Sequence, residues 1–173
     1  MEIFNTTWKV MIPIFKFPTK GLSIREISRL SKVAHPSVIK IIKKLEKSNL
    51  VSIEKRRNCF LVRANLENEK FVELKRLYNL FSLKEFVEYI KEKFEPEVII
   101  CFGSFASGID IESSDIDLFI GNKKVEIDEK ELSKFEKKLC RKIQIFSGNL
   151  KDFPKELREN IVNGVKLFGW LKI

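Results

Sequence analysis

Val98-Ile99-Ile100-Cys101-Phe102-Gly103-Ser104-Phe105-Ala106-Ser107-Gly108, followed after a short spacer by Ser114-Asp115-Ile116-Asp117-Leu118-Phe119-Ile120, is the stretch that decides how this chain is read. The unbroken apolar run from Val98 to Phe102 predicts a buried strand, and Gly103-Ser104 ends it. Small residues there let the backbone approach an anion, and amide groups opening a following helix can hold one. Ser114 to Ile120 predicts a second strand. Side chains alternate across a strand, so Asp115 and Asp117 share one face and Ile116 and Leu118 the other. Two crowded carboxylates repel unless a cation sits between them, and a hard divalent ion carrying nucleotide phosphates suits that position.

These residues resemble the signature of the minimal nucleotidyltransferases of the DNA polymerase β superfamily, which carry Gly-Ser, a spacer of about this length and then Asp-x-Asp. The resemblance implies that Gly103 and Ser104, with Ser114, bind the nucleotide. It also implies that Asp115 and Asp117 are the catalytic pair that binds Mg2+, with ATP or another nucleoside triphosphate as ligand or substrate. The implied reaction is attack of a substrate hydroxyl on the α-phosphorus, with pyrophosphate leaving. Phe153 to Phe168 is similar to the family's closing helix and short final strand, so the likeness covers roughly the second half of the chain.

Family members that transfer nucleotides use a third carboxylate on a later strand facing the first two. The corresponding strand here reads Arg141-Lys142-Ile143-Gln144-Ile145-Phe146-Ser147, and Gln144 stands where the acid is expected. A neutral amide is a poor metal ligand and no base. No acid lies between Glu136 and Asp152 to replace it, which leaves Asp110 and Glu112, in the loop ahead of the pair, as local substitutes. The reading is therefore that Mg–nucleotide binding survives better than catalysis.

The first half is different in character. Met1 to Leu80 holds 17 Lys+Arg against 7 Asp+Glu, a net of +10, whereas the remainder nets −1. Charge so concentrated favours a polyanionic partner. Ser23-Ile24-Arg25-Glu26 is a capping-box pattern, and Ile24, Ile27 and Leu30 then follow at helical spacing. A short turn leads to Pro36, which suits a first helical position. Val38, Ile41, Ile42 and Leu45 form an inward stripe, with Lys40, Lys43, Lys44 and Lys47 mostly outside it. Val51-Ser52-Ile53 and Cys59-Phe60-Leu61-Val62 predict a hairpin around a basic tip.

Helix, turn, helix and basic hairpin together resemble a winged helix-turn-helix domain of the transcription-regulator type. An apolar leading helix with Trp8, Val10, Met11, Ile14 and Phe15 would complete its core. The resemblance implies double-stranded DNA as partner. Ser37, Lys40 and Lys44 would lie near the major groove, and Lys55, Arg56 and Arg57 would contact phosphates or the minor groove.

The expected fold class is α+β: a winged helix of three helices plus a β-hairpin over 1–66, a helical connector over 67–81, and a nucleotidyltransferase-like mixed sheet packed with helices over 82–173. In the connector, Phe71, Leu74, Leu77 and Tyr78 keep helical spacing, and that apolar face suits packing between domains or a homodimer seam. Ser82 is expected to cap the next helix, Leu83 to Phe94. No apolar run approaches the roughly 20 residues of a membrane span. Three scattered cysteines with apolar neighbours, Cys59, Cys101 and Cys140, suit buried thiols in a reducing cytoplasm. A single His35 argues against a histidine metal cluster or triad. The function expected is a DNA-binding regulator whose second domain binds Mg–nucleotide with weak or no transfer. The alternative is an active nucleotidyltransferase that adenylylates a small-molecule hydroxyl or a protein, such as a toxin-like partner.

Overall fold

Asn5 opens the first helix by accepting the Trp8 amide on its side-chain oxygen at 3.0 Å. In the computed structural model, which describes residues 5–56, 59–121 and 123–171, helix α1 runs Thr6–Lys16 and buries Val10, Met11, Ile14 and Phe15. The Trp8 ring meets Phe15 edge-on at 5.5 Å. A short strand β1 (Leu22–Ser23) leads into α2 (Ile24–Ser31) through the expected capping box. Glu26 N donates to Ser23 Oγ at 3.2 Å and Ser23 N to Glu26 Oε2 at 2.8 Å, which satisfies two amides the helix itself leaves open.

Helix α3 (His35–Lys47) has Pro36 in its first turn and packs Val38, Ile42 and Leu45 inward. Strands β2 (Val51–Arg56) and β3 (Cys59–Ala64) form the antiparallel hairpin, and β1 joins on the far side in the order β1-β3-β2. Three helices plus a hairpin make the winged helix expected from the sequence. Helix α4 (Glu69–Ser82) follows, with Phe71 buried and its ring 5.3 Å from Phe15. The chain divides into two units, Met1–Lys75 and Arg76–Ile173, so the boundary lies inside α4.

The second unit is a mixed sheet of four strands. Helix α5 (Lys84–Phe94) precedes β4 (Val98–Phe102), and a single turn α6 (Gly103–Ser107) follows it. Then come β5 (Ile116–Gly121), α7 (Glu129–Leu139), β6 (Ile143–Gly148), α8 (Lys155–Val162) and β7 (Val165–Gly169). The order is β6-β5-β4-β7, with β5 and β6 parallel and the other pairs antiparallel. One face buries Ile99, Cys101, Ile116, Leu118 and Ile120 against Leu83, Phe86 and Ile90, with α7 adding Leu139. The other buries Val98, Ile100, Phe102 and Phe119 with Leu150 and Ile161. Both faces are covered, which is why β4 reads as a continuous apolar run and not as an alternation.

Ser82 does not cap α5. Its hydroxyl donates back to the Asn79 carbonyl at 2.6 Å and so belongs to the end of α4, while Leu83 occupies the cap position without a side-chain cap bond. A Ser can satisfy either a preceding carbonyl or a following amide, and here the preceding helix uses it. Cys101 is a buried free thiol, pushed up to about 12 by burial and by the nearby carboxylates of Asp117 and Asp110. Cys140 forms no disulfide; it is half-buried and caps α7 in the left-handed conformation. The side chain of Cys59 lies outside the described residues.

Candidate nucleotide and nucleic-acid sites

Phe102, Asp117 and Gln144 form one row across β4, β5 and β6, since Phe102 is in register with Asp117 and Asp117 with Gln144. The next row is Ile100, Phe119 and Phe146. Asp117 therefore sits at the margin of an aromatic layer in which the Phe102 and Phe146 rings are 5.5 Å apart. Burial raises its carboxyl above the ordinary range, and the neighbouring Asp115 carboxylate raises it further.

Asp115 itself stands just ahead of β5 and is exposed, so the strand starts two residues later than the expected Ser114. The two acids still feel each other, as the direction of the Asp117 shift shows. Gly103 begins α6 at φ +73°, a left-handed backbone that favours glycine. A β-carbon there would stand 2.6 Å from Asp117 Oδ2. Gly103 and Asp117 are thus in contact, with half-buried Ser104 next in the chain. Ser114 spends its hydroxyl on the turn before the acids, accepting the Ile111 amide at 3.0 Å.

Gln144 is exposed and directly opposite Asp117 on the parallel neighbour, the position from which a third acid would face the pair. Asp110 cannot stand in for it. Its carboxylate is buried and bonded to Arg141 and Asn79, so turning it toward Asp117 would break a buried ion pair. Glu112 is half-buried in the same loop. Among the described residues, no group of three or more acids, cysteines or histidines is placed to hold a metal. The donor set present, two carboxylates that repel each other, fits one hard divalent ion that completes its shell with phosphate oxygens. It does not supply the charge for two ions roughly 3.5–4 Å apart.

Sequence reasoning passed over Lys142. Its ammonium is held above its usual range by the Glu136 carboxylate at 2.8 Å and, more weakly, by Asp115. It is an exposed cation near the acid pair, adjacent to the Ile116 N–Lys142 O bond that starts the β5–β6 ladder.

In the first unit, Ser37, Lys40 and Lys44 lie exposed along one side of α3, away from buried Val38, Ile42 and Leu45. Lys55 and Arg56 are exposed near the end of β2. Arg56 is bonded to Glu54 at 2.7 Å, and Glu54 also meets Arg63 at 3.4 Å, so part of the wing's charge is neutralised internally. Arg57 lies outside the described residues. A wide cleft of about 990 Å³ lies between α2, α3 and the hairpin, lined by Ile24, Ile39, Ile53, Phe60 and Leu61 with Lys43 and Lys55 among its polar residues. This apolar groove in the winged helix does not coincide with the acid pair.

Residues 84–169 match the family described as polymerase beta, nucleotidyltransferase. The second unit therefore carries a nucleotidyltransferase domain, as the Gly-Ser and Asp-x-Asp residues indicated. Among solved structures, the chain is similar to a MarR/EmrR family transcriptional regulator from Acinetobacter sp. ADP1, at 18% identity and a TM-score of 0.38. That likeness covers 54% of this chain and 64% of the regulator, less than two thirds of it. No curated protein matches the chain. No helix among the described residues is long and apolar enough to cross a membrane.

Proposed function

Taking a nucleotidyltransferase domain joined to a winged helix as the premise, we propose that this protein is a cytoplasmic DNA-binding regulator whose second domain binds a Mg–nucleotide and transfers it weakly or not at all. The observation that carries this reading is Gln144 in register with Asp117. Asp115 and Asp117 would hold the ion, and Gly103, Ser104 and Ser114 would lie against the phosphates. A bound divalent ion supplies charge that screens the triphosphate and polarises its α-phosphorus. The chain's own residues supply the cradle: Gly103 leaves room beside the Asp117 carboxylate that any side chain would take. Gln144 offers a neutral amide where the third acid is expected, so it cannot take the proton of an attacking hydroxyl.

In the winged helix, Ser37, Lys40 and Lys44 on α3, with Lys55 and Arg56 on the hairpin, would contact DNA. Cys101 and Cys140, neither of which is in a disulfide, suit a reducing compartment. Nucleotide binding is proposed to alter DNA affinity, which requires that the ligand bind two states of the chain differently. Two titrations test this. Calorimetry with Mg–ATP is expected to give saturable heat that Asp117→Ala abolishes. DNA affinity is expected to differ with and without Mg–ATP. No heat would remove the nucleotide site, and equal DNA affinities would remove the regulation.

Retention of Asp115, Asp117 and Gly103 together favours a second reading, an active transferase. No observation supports a toxin-like partner. Incubation with labelled ATP and lysate would separate the two readings, because label that is lost in an Asp115→Ala, Asp117→Ala double variant requires transfer.

A further inference from the structure

The loop between α6 and β5 buries an aspartate and exposes isoleucines. Ile109 is 59% exposed and Ile111 38%, while the Asp110 side chain between them is 1% exposed. Apolar burial therefore does not hold this loop, and its anchor must be polar. Asp110 Oδ2 accepts from Arg141 Nη2 at 3.2 Å, and the Arg141 side chain is itself 2% exposed. Asp110 Oδ1 accepts from Asn79 Nδ2 at 2.6 Å, and the same Asn79 amide donates to the Phe105 carbonyl of α6 at 2.9 Å. Arg141 Nη1 donates to the Cys140 carbonyl at 2.9 Å.

Each partner is tied to a different part of the site. Phe105 follows Gly103-Ser104, Asp110 lies between that turn and the acid pair, and Arg141 is three residues ahead of Gln144. Three further bonds of the loop are short-range: Ile109 N to Ser104 O, Ile111 N to Ser114 Oγ and Ser114 N to Ile111 O. They shape the loop but do not place it against β6. A buried ion pair is a poor stabiliser compared with an apolar pair of similar volume, and its best use is to specify one geometry.

We propose that Asn79, Asp110 and Arg141 are positioning residues of the nucleotide site. They set the Gly103-Ser104 turn and the Asp115–Asp117 pair against the strand that carries Gln144. The inference rests on the reading of that pair as a nucleotide site, and its test keeps the two apart.

The test uses the full chain with Asp110→Leu and Arg141→Met combined, which removes both charges and leaves neither stranded. The expected result is a melting temperature within a few degrees of wild type, with amide exchange at Ile109, Ile111 and Ser114 at least tenfold faster, exchange in β4 unchanged and Mg–ATP affinity at least tenfold weaker. A variant that melts, exchanges and binds like wild type would overturn the proposal. If the double variant does not fold, Arg141→Lys, which keeps the charge but loses the guanidinium fork, is expected to speed exchange in the loop alone. Faster exchange spread evenly over the second unit would mark a merely structural role and overturn it. Wild-type protein that binds no Mg–ATP would sink the nucleotide reading, and exchange in the loop would still decide whether the network positions it.

Discussion

Gly103 and Asp117 occupy touching positions: a β-carbon on the first would lie 2.6 Å from a carboxylate oxygen of the second. The turn proposed to approach phosphate and the acid proposed to hold the ion are therefore built as one contact.

Gly103→Ala tests that contact. The left-handed backbone alone costs a non-glycine residue about 1 kcal/mol, and the methyl group must also displace Asp117. The expected outcome is a modest drop in melting temperature with Mg–ATP affinity reduced at least tenfold by calorimetry. A variant that loses stability but keeps its affinity would show that Asp117 does not serve the ligand.

Asp117→Asn is expected to stabilise the protein in the absence of metal. Because burial and Asp115 raise the Asp117 pKa, the folded chain takes up a proton there more readily than the unfolded chain. Stability from that proton is present at low pH and lost as pH rises through the raised value. Melting curves from about pH 3 to about pH 8 should show the variant gaining over wild type as pH rises and matching it at the acid end. Mg–ATP should stabilise wild type and not the variant.

Gln144→Asp would place a carboxylate in register with Asp117. Label transfer from ATP, or pyrophosphate release, is expected to rise at least tenfold, while a third like charge lowers the melting temperature of the metal-free protein. Unchanged transfer would mean that something other than this position limits the chemistry.

For the winged helix, the salt dependence of duplex binding is the measurement. Each phosphate that the protein no longer neutralises should reduce the slope of log affinity against log salt by about 0.9. Lys40→Ala with Lys44→Ala should therefore lower it by about 1.8. Arg56→Ala should change it less, because Glu54 already pairs with that guanidinium.

Ser23→Ala removes the acceptor for the Glu26 amide. The cost expected is about 1 kcal/mol, seen as a lower melting temperature of the winged helix, with Mg–ATP binding unaffected.

What could be read from the chain is what depends on neighbours in sequence. The capping box at Ser23 and Glu26 spans three residues, and its bonds form as the pattern predicts. The stripe Val38, Ile42, Leu45 follows helical periodicity, so burying one of its members buries the others. The strand Val98–Phe102 is apolar throughout and is covered on both faces. Gln144 was legible because strand alternation and a family pattern both place it opposite the acids, and the register agrees.

Competing partners made other positions illegible. Ser82 has two possible uses within four residues, and only the packed helix end selects one. Asp110 looks like any acid in a polar loop. Its partners Asn79 and Arg141 are each 31 residues away, and nothing local signals that a carboxylate will be buried while two flanking isoleucines stay in water. By itself the sequence determined the capped and periodic elements, such as α2, α3 and β4, and the two folds, because periodicity and caps act over one or two turns; the short strand β1 and helix α7 were not read from it. Tertiary structure alone decided that Gly103 touches Asp117 and that Asp110 is withdrawn into an ion pair. Those outcomes depend on which distant groups the sheet brings together, and on the cost of leaving a buried charge without them.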